Sequence, residues 1–220
     1  MLAKPRPALD DFSFSRLRLG RNSFHVLVIR SWSERLDHLA KENRYIEALN
    51  LAAEFYTDHG KALVGLKGPR RKREKLVGQK LAGILLKFLD VSMSKNFPAE
   101  GNIVVLSEYF DGIVPPCVHA SMTLQKKAED DALLFENVWN TFSLDPFAKA
   151  KFLETLEVYI LSDQLRRLPV HISQEFVTHF ETVKRFEALE ACITHLRIDS
   201  LDIHQVSSWL KVPESGLLNI

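Results

Sequence analysis

The chain has 220 residues, of which 46% are hydrophobic and 26% charged, and its formal net charge is +1. That is apolar material for one sizeable core or several stacked helical hairpins, with no global charge to draw nucleic acid or an anionic membrane. Two distant cysteines, Cys117 and Cys192, form no disulfide pattern and fit a reducing, intracellular compartment, and no run approaches the roughly 18–20 apolar residues of a membrane span.

Residues 1–22 are mixed and carry Pro5 and Pro7, without the apolar run of a signal peptide. They are expected to form a disordered leader. Residues 23–30 (SFHVLVIR) are the one clear strand candidate. A lone strand leaves its backbone groups unpaired, so it is expected to pair outside the chain or to lie along the helices.

Residues 31–57 read as two short helices folded back on each other. Trp32, Leu36 and Leu39 share one face; Ile46, Leu49, Leu51, Ala52, Ala53 and Phe55 make the apolar side of the next. Lys41, Glu42, Asn43 and Arg44 form the polar turn, with Asn43 as the stop. Three glycines and Pro69 mark residues 59–69 as a loop or a frayed helix end. A helix then runs from Arg70 to about Lys95, its core positions being Val77, Leu81, Ile84, Leu85, Phe88 and Leu89.

Residues 103–113 are expected as a helix with Ile103, Leu106, Tyr109 and Phe110 on its apolar face. Pro115 and Pro116 are expected to end it and to open the next one, which reaches about Lys127. Glu129, Asp130 and Asp131 suit another helix N-terminus, ahead of Leu133, Leu134, Val138, Trp139 and Phe142. Asp145 followed by Pro146 is a cap and first helical residue. That helix carries Phe147, Phe152, Leu153, Leu156, Tyr159, Ile160 and Leu161. Ser173 is expected to cap a helix with Phe176, Val177 and Phe180 inside. Residues 185–196 are its partner, with Phe186, Leu189, Cys192, Ile193 and Leu196 inside, and Asp199 starts a further helix that reaches Leu210.

About nine helices in succession, without strand–helix alternation, predict an all-α fold: an irregular α-solenoid of helical hairpins with one short N-terminal strand-like segment. No strict period of about 34 residues marks a regular tetratricopeptide array.

The chemistry is sparse. Gly60-Lys61 is followed by Ala62 and no strand leads into it, so a phosphate-binding loop is not expected. The eight histidines are scattered, and His171 and His179 are separated by the helix start expected at Ser173, so no metal site is expected. Cys117 and Cys192 read as small core residues, and carboxylates such as Glu154 and Glu157 as solvated helix charges. No cofactor and no catalytic residue is expected. The strongest local charge feature is Lys67, Arg70, Arg71, Lys72, Arg73 and Lys75. Its plainest reading is a solvated helix start. An acidic partner, an acidic lipid surface or a nuclear signal are the other readings; no interleaved aromatics support nucleic acid. Cations at a helix N-terminus oppose the helix dipole, which favours a contact role.

Four stretches together resemble one family: RSWSERLDHLAKENRYIEALNLAAEFY (residues 30–56), GKALVGL (60–66), FLETLEVYILSDQL (152–165) and EALEACITHLRIDSLDIHQV (187–206). They are similar to the part of the Vps-eight family, the vacuolar protein sorting subunit specific to the CORVET endosomal tethering complex, that follows its β-propeller. The resemblance covers residues 24–206. It implies a clathrin heavy-chain-repeat-like α-solenoid over residues 31–206, with 23–30 as a strand-like remnant of a propeller and 207–220 as a divergent tail. The chain carries neither the propeller nor the Cys/His-rich RING-type element of that family, so it is expected to be a fragment, a short isoform or a partial gene product. The implied function is a non-catalytic scaffold in endosome fusion and transport to the vacuole or lysosome. Its implied partners are other tethering-complex subunits and, through the full-length protein, the early-endosomal Rab GTPase. Its implied place is cytoplasmic and peripheral on endosomes. The competing reading is another helical-repeat adaptor, of the coat or nucleoporin kind.

Overall fold

Ser31 and Glu34 stand three residues apart ahead of an apolar run, the spacing at which a helix N-terminus can cap itself. The computed structural model, which describes residues 15–19, 24–61, 63–94, 97–98, 102–128 and 131–197, realises that cap at the start of α1 (Trp32–Lys41). The Ser31 hydroxyl accepts the Glu34 N–H at 3.3 Å, and the Glu34 carboxylate accepts the Ser31 N–H at 2.7 Å. Those two bonds, the backbone one first, hold the Glu34 carboxyl below its ordinary range. The chain falls into two compact units, Met1–Leu81 and Ala82–Ile220.

In the first unit, β1 (Ser15–Leu19) pairs antiparallel with β2 (Phe24–Val28), Ser15 opposite Val28 and Leu19 opposite Phe24. This corrects two expectations. The strand has its partner inside the chain, and that partner lies in the stretch expected to be a disordered leader. Ser15-Arg16-Leu17-Arg18-Leu19 alternates polar and apolar residues, which is a strand period. The nearest such segment in sequence satisfies the open edge of β2.

Helix α1 packs on α2 (Tyr45–Tyr56) across a three-residue turn. Leu36, Ala48, Leu49 and Ala52 are at most 1% exposed, and Tyr45 and Tyr56 join them in the core. Trp32 and Leu39 are only half-buried, and Ile46, expected inside, is exposed. The turn closes through Asn43 at φ 58°, with its N–H donated to the Ala40 carbonyl and that of Arg44 to the Leu39 carbonyl. The loop after α2 folds back on this hairpin. Val64 accepts the Trp32 N–H at 3.0 Å, Lys61 accepts a guanidinium N–H of Arg35 at 3.3 Å, and that guanidinium also lies over the Phe55 ring. Gly68, at φ 110°, makes the turn into α3 (Arg70–Ser94). All six expected core positions of α3 are buried.

The second unit contains α4 (Ile103–Ala128), a π-helical segment (Leu133–Val138) continuing into α5 (Trp139–Phe142), α6 (Pro146–Leu161), α7 (Val170–Thr182) and α8 (Phe186–His195). Helix α4 runs straight through Pro115 and Pro116. Two prolines remove two backbone donors, which is why a break was expected there. Ile113, Val114, Cys117 and Val118 flank them at 6% exposure or less, and α4 packs on α6; that burial outweighs the lost hydrogen bonds. Ile103, expected on the apolar face, is exposed. The spacing of Leu134, Phe135, Val138, Trp139 and Phe142 suits an α-helix as well as a π-helix, so the sequence does not reveal the widened turn.

Asp145 caps α6 as expected, accepting the N–H groups of Phe147 at 2.8 Å and Ala148 at 3.1 Å with Pro146 in the first turn. Helix α7 begins earlier than expected. Pro169 stands at its N-cap, and Ser173 is inside the helix and buried. A proline fixes the entry dihedral, so the Leu168-Pro169 connection itself opens the helix. His171 and His179 therefore share α7, contrary to expectation. Phe186, expected inside, is 47% exposed at the start of α8.

One ion pair crosses from α6 to α7, Lys149 to Glu175 at 3.1 Å, and the Glu154 carboxylate lies 3.5 Å from His179. The non-helical residues 165–169, with Leu165 and Leu168 buried, join α6 to α7. The helix expected after Asp199 and the 207–220 tail lie outside the described residues.

Four helices end alike. Asn43, Asp58, Asp163 and Lys184 all take left-handed backbone, at φ 58°, 67°, 57° and 58°. At each, the next N–H reaches back to the carbonyl five residues earlier, closing a Schellman-type end. Asn and Asp tolerate that conformation; Lys184 carries a side-chain penalty there. Replacing Lys184 with Gly should therefore stabilise the protein by about 1 kcal/mol, read as a raised urea midpoint, whereas Asn43→Gly should change it less. Leu49→Ala should cost about 2–5 kcal/mol, and Trp32→Ala less, since Trp32 is only partly buried.

Candidate interaction surfaces

The basic run opens α3 with no acidic residue in its first turn, against the preference of a helix N-terminus. The fold divides its six cations into two sets. Arg70 pairs with Glu74 one turn on at 2.8 Å, and Arg73 reaches back to Asp58 at 3.7 Å. Lys67, Arg71, Lys72 and Lys75 are exposed, and none of them has an ion pair among the described residues. Arg71, Lys72 and Lys75 share one face of the helix by spacing, with exposed Leu76 and Gln79 beside them. Sequence reasoning found the whole run, but not which members the fold consumes.

The second unit has a cleft of about 500 Å³ that the sequence reading missed, lined by Met122, Gln125, Lys126, Arg166, Arg167 and Arg197 among others. Its only local signal is the Arg166-Arg167 pair. Part of its positive charge is answered. Asp131 also lines it, Arg166 pairs with Asp163 at 3.3 Å, and Arg167 and Arg197 have further partners. Asp163 also accepts from His195 at 3.1 Å, and that bond, ahead of Arg166, holds its carboxyl below the ordinary range. A smaller cleft of about 400 Å³ is lined by Leu86, Leu89 and Met93 near the end of α3, Asn137 of the π-helical segment and Thr141 of α5, among others.

Glu154 and Glu157, expected as solvated helix charges, are half-buried links between helices. Glu154 faces His179 and Lys151, and Glu157 accepts from Arg185 at 3.0 Å. The Arg185 guanidinium also lies over the Phe180 ring at 5.2 Å. These groups tie α6 to α7 and to the entry of α8, which accounts for their charges structurally. His119 meets the Tyr159 hydroxyl at 3.1 Å, and His171 stands at the Trp139 ring.

Cys117 and Cys192 are both buried and unpaired. Burial pushes the Cys192 thiol up to about 12, with nearby Glu157 adding to the shift, and burial raises the Cys117 thiol as well. Neither is a thiolate nucleophile near neutrality. Among the described residues no three His, Cys, Asp or Glu side chains are grouped to hold a metal ion, and no helix is long and apolar enough to cross a membrane.

A family model described as the Vps8 central TPR matches residues 151–214, a span that takes in most of α6 and all of α7 and α8. The chain is 40% identical over 188 residues to the human vacuolar protein sorting-associated protein 8 homolog, covering 86% of this chain and 13% of that protein. The chain belongs to the Vps8 family. The mouse homolog of the same name matches with the same identity and coverage. The chain thus spans about 13% of the length of the curated relatives it matches. No solved structure matches.

The burial of the two cysteines has a direct readout. In the folded protein at pH 8 neither Cys117 nor Cys192 should react with a maleimide on the timescale at which both react in denaturant. Labelling of either in the native state would show that its helix opens.

Proposed function

We propose that this chain is a non-catalytic scaffold segment of an endosomal vesicle-tethering subunit. Its helices form part of an α-solenoid that acts through protein–protein contacts in endosome fusion and in transport to the vacuole or lysosome. The observation that carries this reading is the 40% identity, over 86% of the chain, to human and mouse proteins named for vacuolar protein sorting. The internal chemistry supports it. The thiols are packed away, and Glu154, Glu157, Asp163, His179 and His195 meet partners on neighbouring helices or helix ends.

Stacked helical repeats present extended surfaces, and such surfaces bind other proteins without a reacting centre. The partners on this reading are the other subunits of the CORVET tether, with the early-endosomal Rab GTPase engaged through the full-length protein. The chain would sit in the cytoplasm, peripheral on endosomes. A tagged version of this chain, used as bait in a cell lysate, should recover tether subunits that the full-length relative also recovers. Recovery by the full-length protein alone would overturn the proposal for this segment.

A further inference from the structure

We propose that the exposed basic face at the start of α3 is a contact for an anionic lipid surface. The proposal goes beyond the scaffold reading and stands without it. Three observations carry it. First, Lys67, Arg71, Lys72 and Lys75 project from one loop end and the first two turns of one helix, exposed and without ion pairs among the described residues. The nearby acids are already engaged: Glu74 by Arg70, Asp58 by Arg73, and Asp37 by Lys80. The face therefore carries four positive charges without a local counter-charge.

Second, the fold sorts arginine from lysine. Arg70 and Arg73, whose planar forks suit directional pairing, are used internally, and three of the four remaining cations are lysines. A lysine is a flexible, strongly hydrated point charge. It suits a diffuse negative surface better than the fixed bidentate geometry of a carboxylate or phosphopeptide site. Third, Leu76 stands 42% exposed among these cations. Its place one turn beyond Lys72 lets an apolar side chain meet the acyl boundary while the lysine stems lie along the headgroups. A cluster of four or more Lys/Arg on such a helix is the pattern that binds anionic lipid, at roughly a fivefold change in affinity per cation.

The test is co-sedimentation of the whole chain with vesicles of phosphatidylcholine alone or mixed with phosphatidylserine. Binding should appear only with phosphatidylserine and should weaken as salt rises. The double variant Lys72→Gln, Lys75→Gln should bind roughly 25-fold more weakly. Both side chains are exposed, so its circular dichroism should match that of the parent. Arg166→Gln, in the other unit, should leave binding unchanged. Equal binding to both vesicle types would overturn the proposal, as would undiminished binding by the double variant. So would binding to a polyglutamate peptide, lost in the double variant, with none to phosphatidylserine vesicles; that result would assign the face to an acidic protein.

Discussion

Burial of α6 is the constraint on which the second unit depends. Phe152, Leu153, Leu156 and Ile160 are at most 1% exposed, and α4, α5, α7 and α8 all pack on this one helix. None of the shorter helices around it would hold in water by itself, since a helix of about a dozen residues is marginal without a packed face. That burial also explains why α4 survives its two prolines. Pro115 and Pro116 lie in the stretch that meets α6, where leaving the helix would expose Ile113, Val114, Cys117 and Val118 together. The polar groups follow the same geometry. Glu154 and Glu157 are placed where α7 and the entry of α8 cross α6, so their pairing sets the register of surfaces already brought together by apolar contact. Half-exposed pairs of this kind add little stability and mostly fix orientation.

Helix ends are the second organising device. One turn chemistry closes α1, α2, α6 and α7, each through a left-handed residue that lets the chain reverse within a few residues. The turns before α2 and α8 are closest in form: a left-handed residue, then an arginine at the N-cap (Arg44, Arg185), then an aromatic. The arginines differ in use. Arg44 folds onto its own Glu47, whereas Arg185 reaches across to Glu157. The same backbone turn thus serves as a local cap in one place and as a tie between helices in another, according to whether a second helix lies within reach.

How much of this the sequence disclosed depends on the range of the forces involved. The Asp145-Pro146 start and the six core positions of α3 were legible because capping and helical periodicity are local. Both cysteines were legible as core residues from their apolar neighbours. The capping box of Ser31 and Glu34 is local in the same way, set by a spacing of three residues. Ser173 misled because it has a capping side chain, but Pro169 fixes the chain first. The continuity of α4 could not be read locally, since it depends on partners far away in sequence. The pairing of β2 was hidden for a different reason. Its partner alternates with arginines and sits in a Pro-containing stretch whose composition suggested disorder.

The basic run shows the same division in its sharpest form. Its exposure was visible in the sequence, but its electrostatic meaning was not. α1, α2 and α8 each carry a carboxylate in the first turn, where the helix dipole favours it. α3 carries cations there instead, and two of them are offset by Glu74 and Asp58. The remaining four are not offset, so this end of α3 is held against its local electrostatics by burial further along, at Val77 and Leu81, each 0% exposed. A helix anchored in that way can carry a charge pattern its own terminus disfavours. The stability comes from one face, which leaves the other face open to selection for contacts outside the fold.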